Sequence, residues 1–345
     1  MQDEEEKSEE LPQIIEDINA EDEPEVKIDT TKTKSRRAVN KAKAKEGIFA
    51  DFPLVDGKTM HLEVVKGDVA NRVIICSNED YAWKLSRYFD DPEKIIDVKS
   101  HRHFRTLTGL FQGVPISIIG SGTGKSMVDF TMREAKYCID GTMAVVMLGI
   151  CNSISNYVYG DVVVASKGVF GVQTDFDVIN GFNKNTLCGA YRISDLVVPD
   201  QQLSDLVVDS LIKTLTKPNL VKVGMNGSSD AFYGSQGRND DRFPDKNDNL
   251  IAEIIQKYPH TKTLDMESYN IVALSKMTNN NDVVASAVNI VVDNRYGRQS
   301  EVEAPQFIEI EDQTGYALIK ALADYDFPEG EPSASLGIIS RVQRQ

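Results

Sequence analysis

The chain has 345 residues, enough for one large domain or two ordinary ones. With 41% hydrophobic and 26% charged residues it has the balance of a globular protein, and a net charge of -15 argues against general nucleic-acid binding. No apolar run approaches the roughly 20 residues that span a bilayer, the acidic N-terminus lacks the apolar stretch of a secretory signal, and the four scattered cysteines form no C-x-x-C pair, which argues against a metal site or disulfide framework and for a reducing, cytoplasmic compartment.

Residues 1–46 stand apart. Asp3 to Glu25 is mostly acidic and broken by Pro12 and Pro24, whereas Lys27 to Lys45 is mostly basic. Neither half has enough apolar side chains to offset the entropy of ordering, so a disordered tail is expected. It reads either as a solubilising segment or as an arm whose basic half docks on an acidic protein partner. From 47 to 327, short apolar runs alternate with helical patterns. Arg72–Cys76 reads as a buried strand and Ala82–Phe89 as a helix. Leu107–Phe111 and Val114–Ile119 read as strands joined by a turn at Gly113, followed by a helix over Ser126–Cys138. Met143–Leu148 and Val162–Ala165 are expected strands, Leu203–Leu215 an amphipathic helix and Leu220–Val223 a strand. Helices at Leu250–Lys257 and Ser268–Lys276, a strand at Val283–Val292 and a final helix at Tyr316–Ala323 complete the series. This alternation implies an α/β fold, a single domain with a central mixed β-sheet flanked by helices. Residues 328–345, with Pro328, Gly330 and Pro332, are expected to be irregular.

Ligands in such folds sit beyond the carboxyl ends of strands, which directs attention to the residues just after each apolar run. Gly120-Ser-Gly-Thr-Gly-Lys-Ser126 looks like a nucleotide P-loop, but the pattern needs glycine five residues before Gly124, and Ile119 stands there. A glycine-rich turn into a helix still exposes backbone N–H groups suited to an anion or a sugar hydroxyl. Other polar segments punctuate the series: Met60-His-Leu62 before the first strand, Ser100-His-Arg-His-Phe104 after the first helix, Tyr159-Gly-Asp-Val-Val163 opening a strand, Ser228 to Arg238 after the Leu220 strand, Asp265-Met-Glu-Ser268 at a helix start and Asn294-Arg295 closing the strand at Val292. Singly, each has an ordinary explanation as a solvated loop, a turn or a helix start.

Their order and spacing resemble the nucleoside phosphorylase family, and within it the uridine phosphorylase branch, from about Met60 to Ala323. The specific pieces are F-Y-x-x-Q-x-R at Phe232–Arg238 and M-E-S at Met266–Ser268. The resemblance implies a nucleoside phosphorylase-like fold and reversible phosphorolysis of uridine to uracil and ribose 1-phosphate, a step of pyrimidine salvage, without metal or cofactor. It makes Arg238 and Glu267 the catalytic residues. Gln236 and Arg238 would read the polar edge of the base, Phe232 would pack on its ring, and Arg295 would shape the pocket. Glu267 would accept from the ribose hydroxyls, with Met266 beneath the sugar. His61 would reach the 5′-hydroxyl and Arg102 the phosphate, both from a neighbouring subunit of a homodimer or larger homo-oligomer, while Gly122 lies in the loop beside the phosphate.

Four positions depart from the family. Ser77 replaces a glycine, Tyr81 and Met147 stand where arginines grip phosphate, and Ile150 stands where a threonine would donate to it. Exchanging donors for apolar side chains removes charge-assisted bonds and adds a desolvation cost. Lys125 and Arg87 are the cations that could substitute. Two functions therefore stand side by side. One is a uridine phosphorylase-like enzyme with a rebuilt phosphate site, with Asp293 as the carboxylate to test should water replace phosphate. The other is a pseudoenzyme serving as a nucleoside-binding or structural subunit, docked through its charged tail.

Overall fold

A computed structural model describes residues 51–182, 189–327 and 335–342; the expected tail at 1–46 lies outside them. Strands β1 (Leu54–Val55) and β2 (Lys58–Thr59) form a small hairpin turned at Asp56 and Gly57, both with positive φ. The main sheet holds β3 (Arg72–Cys76), β4 (Ile96–Lys99), β5 (Arg105–Phe111), β6 (Val114–Gly120), β7 (Met143–Ser153), β8 (Val162–Val164), β9 (Val169–Thr174), β10 (Tyr191–Ile193), β11 (Val221–Val223), β12 (Met225–Ser229), β13 (Thr261–Asp265) and β14 (Val283–Asn294). The helices are α1 (Glu79–Ser86), α2 (Lys125–Cys138), α3 (Phe176–Ile179), α4 (Gln201–Thr214), α5 (Leu250–Lys257), α6 (Ser268–Ser275), α7 (Ala304–Ala323) and α8 (Ser335–Val342).

The sheet is mixed, as its alternating pattern implies. Its main path runs β10-β9-β12-β13-β7-β3-β6-β5-β4, and β14 branches from β7 to meet β8, which also pairs with β11. The central strands are apolar on both faces because both faces are covered. Ile74 and Cys76 pack with α1, α4 and α7, whereas Val73, Ile75 and Met147 pack with α2 and α6. A third apolar cluster joins Phe170, Val172 and Leu264 to α5.

Strands with polar sequences escaped the apolar reading. Met225–Ser229 and Thr261–Asp265 are buried strands whose hydroxyl and amide groups pair internally, as Thr263 Oγ1 does with Asn226 Oδ1 at 2.8 Å. β7 and β14 extend past the expected Leu148 and Val292 to Ser153 and Asn294. α7 begins at Ala304, twelve residues before the expected Tyr316, because Glu303 and Gln306 form a capping box there. The expectation of an irregular 328–345 is corrected by α8. Ile338 and Val342, one turn apart, are buried with Ala70 and Ile96, and Arg341 pairs with Asp68 at 2.5 Å.

Candidate functional site

The site grows from a split in the sheet. Along one edge of β7, β3 pairs with Ala144–Leu148 and β13 with Asn152 and Ser153, so among the described residues 149–151 have no strand beside them there. β14 occupies the other edge throughout. β13 runs antiparallel to β7, so Met266 and Glu267, which follow it, lie beside this gap. Ligands in open sheets favour such changes of strand neighbour.

Glu267 is buried, and its carboxylate accepts N–H groups from Gly124 at 2.6 Å and Met266 at 3.2 Å. Gly124 precedes α2 at φ 99° and Gly122 sits at φ 87°, a region that favours glycine. The glycine loop is thus a clamp on Glu267. Burial, then the neighbouring charge of Asp265, pushes the Glu267 carboxyl up to about 7, with the two N–H bonds opposing.

Asp265 holds this corner together. Its carboxylate accepts from the hydroxyls of Ser228 and Ser268, from Ser268 N at 3.1 Å and from Asn289 Nδ2 at 3.0 Å. Ser228 Oγ in turn accepts Tyr269 N at 2.8 Å. β12, β14 and the start of α6 are thereby tied to the residue two before Glu267. A buried carboxylate is tolerable only with such a full set of donors.

The second half of the site follows β12. Ala231 to Arg238 folds around a short 3-10 turn at Gly234–Gln236, closed by Gly237 at φ 64°. Gln236 is fully buried; its Nε2 donates to Ser229 Oγ at 2.9 Å, and its Oε1 has no partner among the described residues. Arg238 lays its guanidinium 4.2 Å over the Phe232 ring, a cation–π contact, and its Nε is likewise buried without a partner. Burial, then the charge of Arg295, draws the Arg238 pKa below the usual guanidinium range. Arg295 donates to the Gln236 and Gly237 carbonyls at 2.8 and 2.9 Å, fixing the turn. Phe232, Gln236, Arg238 and Arg295 therefore form one unit. Gln236 Nε2 lies 3.4 Å from the Asp265 carbonyl, which joins this unit to the Glu267 corner.

His61 and Arg102 belong elsewhere. The His61 ring stacks on Phe130 at 3.9 Å and lies edge-on to Phe104, with Nδ1 2.6 Å from Glu134. Glu134 also accepts His61 N and Leu62 N. Glu134 follows Gly124 by ten residues along α2, about 15 Å of helix. The groups that hold His61 and Glu267 are thus at opposite stretches of one helix. Arg102 is exposed, two residues before the buried Phe104, and its backbone N–H donates to Ser100 Oγ at 3.2 Å.

Ser77 is half-buried after β3. Tyr81 points into the core, its hydroxyl donating to the Glu311 carbonyl of α7 at 2.6 Å, and burial raises its pKa well above the ordinary phenol value. Met147 is wholly buried against α2 and α6, whereas Ile150 is half exposed in the gap of β7. Of the substitute cations, Arg87 is bound to Asp312. Lys125 lies 3.7 Å from Asp230, which is also held by Thr174 N at 2.9 Å. Glu79 and Asp80 start α1, where the helix dipole favours them, and Glu79 pairs with Lys99 at 3.1 Å.

Sequence reasoning assigned no role to Ser229, Asp265, Asn289 or Glu134. Asp265 was legible only as part of the Asp265–Ser268 run at a helix start, two residues before the N-cap Glu267. The others come from distant elements and carry no such signal.

The family model of the Phosphorylase superfamily matches residues 71–324. A uridine phosphorylase of Thermococcus kodakarensis is 24% identical over 253 residues, which span 72% of this chain and 83% of that protein. A solved structure from a study of two diverse uridine phosphorylases of the oomycete Phytophthora capsici is 27% identical and superposes with a TM-score of 0.74, covering 81% of this chain and 99% of the other. The Trypanosoma brucei nucleoside phosphorylase, described as showing uridine phosphorylase activity, shares the fold with a TM-score of 0.64 at 18% identity, over 80% and 100% of the two chains.

Proposed function

Because the chain belongs to the Phosphorylase superfamily, we propose that its site binds a uridine-type nucleoside and that phosphorolysis, the family reaction, is impaired on the phosphate side. The observation that carries this reading is that two of the buried polar atoms without a partner among the described residues, Gln236 Oε1 and Arg238 Nε, lie on one fixed turn beside Phe232. Buried polar groups are rarely left without partners, and a bound base supplies them. The ionised Glu267 accepts from the ribose 2′- and 3′-hydroxyls, with Met266 under the sugar. Arg238 offers positive charge where negative charge would develop on a departing base.

On the other side, Tyr81 and Met147 are committed to the core, and Ile150 offers no donor in the gap. Each charge-assisted bond to phosphate contributes about 1.5–3 kcal/mol, so losing two arginines slows phosphorolysis by roughly a hundredfold or more. A second reading, an active phosphorylase with a rebuilt anion site, draws on Lys125 at the start of α2. Its 3.7 Å approach to Asp230 is looser than a hydrogen bond and leaves it available to swing toward phosphate. The distance along α2 supports a homodimer or larger homo-oligomer in which His61 and Arg102 complete a neighbour's site.

Uracil release from uridine, with and without phosphate, separates the readings. The impaired site releases little or none while uridine still raises the melting temperature. Phosphate-dependent turnover at ordinary phosphorylase rates, lost in Lys125→Ala, would replace the first reading by the second.

A further inference from the structure

We propose that Ser229 is a positioning residue that fixes the hydrogen-bonding polarity of Gln236 and so restricts the pocket to bases with a lactam edge, a ring N–H beside a C=O. The inference deepens the nucleobase reading of Gln236 and Arg238 and rests on it.

A primary amide has two prongs of nearly the same shape, one accepting and one donating, so the prong facing the ligand decides what is read. The chain of bonds behind Gln236 leaves no choice. The Asp265 backbone carbonyl can only accept, and Ser229 Oγ lies 2.9 Å from it, so Ser229 gives its single proton there. Ser229 Oγ can then only accept from Gln236, and the prong 2.9 Å away must be the NH2. Turning the amide over would also place its oxygen at the Nε2 position, 3.4 Å from the same carbonyl, two acceptors facing each other in a buried site. Oε1 is therefore the prong left over, buried and without a partner among the described residues.

A ring N–H satisfies Oε1, and the adjacent C=O accepts from Arg238 Nε, the unpartnered donor two residues on. The left-handed Gly237 and the two bonds from Arg295 hold these groups in one turn. Uracil and thymine present this pattern. Cytosine presents the reverse, a ring nitrogen lone pair against Oε1 and an amino group against Arg238, and leaves both buried groups opposed. Sites built on such pairing discriminate far more sharply than apolar pockets do.

The test is the ratio of uridine to cytidine affinity by calorimetry, since the two nucleosides differ only at this edge. The wild-type protein should favour uridine by about a hundredfold or more. In Ser229→Ala the amide loses its 2.9 Å partner and is held only by the longer 3.4 Å contact with the Asp265 carbonyl, so the ratio should fall by about tenfold or more, a change of preference that a uniform loss of binding through structural damage would not produce. Ser229→Thr, which keeps the hydroxyl, should retain the wild-type ratio. If circular dichroism shows Ser229→Ala unfolded, Ser229→Cys takes its place with the same expectation. An unchanged ratio in a folded Ala or Cys variant overturns the role of Ser229 while leaving the base pocket standing. Wild-type protein that binds neither nucleoside overturns the pocket itself, and this inference with it.

Discussion

Glu267 combines two conflicting demands. In the proposed role it accepts from ribose hydroxyls best when ionised, yet burial and Asp265 hold its pKa at about 7 instead of 4.5. Between those values the folded protein keeps a proton that the unfolded chain has lost. Stability from this group is therefore full below about pH 4.5 and falls as pH rises through 7, by on the order of 3 kcal/mol in total. In Glu267→Gln, which cannot ionise, the drop in melting temperature between pH 5 and pH 8 should shrink; an unchanged drop would show that Glu267 is already charged at pH 5. Uridine affinity should change the other way and rise through pH 7 in the wild-type protein. At this scale the sequence made the candidate site residues legible where a motif carried them, at Phe232–Arg238 and Met266–Ser268. It could not show that Tyr81 turns its hydroxyl to α7, nor that Ser229 backs Gln236, because both contacts join residues brought together only by the fold.

Elements set the precision of the site. The end of β6 at Gly120 runs so close to α1 that a Cβ there would meet Glu79 Cα at 2.7 Å and the Asn78 carbonyl at 2.8 Å. Backbone cannot yield as a side-chain tip does, so Gly120→Ala should cost about 1–3 kcal/mol or more in urea unfolding. Gly113→Ala has open space around it but φ 76°, and should cost only about 1 kcal/mol. Equal losses would contradict the close approach. α8 makes a second case. Ile338 is completely buried against Ala70 and Ile96, so Ile338→Ala should cost about 2–4 kcal/mol; a loss below about 0.5 kcal/mol would show that α8 does not hold this position in solution. Most apolar strands and amphipathic helices were legible from periodicity, but Ile96–Lys99 and Val169–Thr174 were not among the expected strands. β12 and β13 were not, because Met-Asn-Gly-Ser-Ser and Thr-Lys-Thr-Leu-Asp bury paired polar groups where the pattern looks for apolar ones.

At the scale of the whole molecule, the branch at β7 decides what sort of site is possible. It brings the glycine loop, the end of β13 and the turn after β12 together in one chain, and leaves Glu134, the partner of His61, about 15 Å from Gly124 along α2. In an oligomer completed by His61, His61→Ala should weaken uridine binding about fivefold, as the loss of one hydrogen bond does. Unchanged affinity, or a monomer in sedimentation, would contradict the shared site. Calorimetric titration of uridine with and without saturating phosphate tests most directly the proposed nucleoside pocket with an impaired phosphate side. Uridine should bind with the same affinity in both, and phosphate alone should give no heat. Saturable phosphate binding that tightens uridine would contradict the eroded phosphate site, and no heat from uridine in either buffer would contradict the pocket.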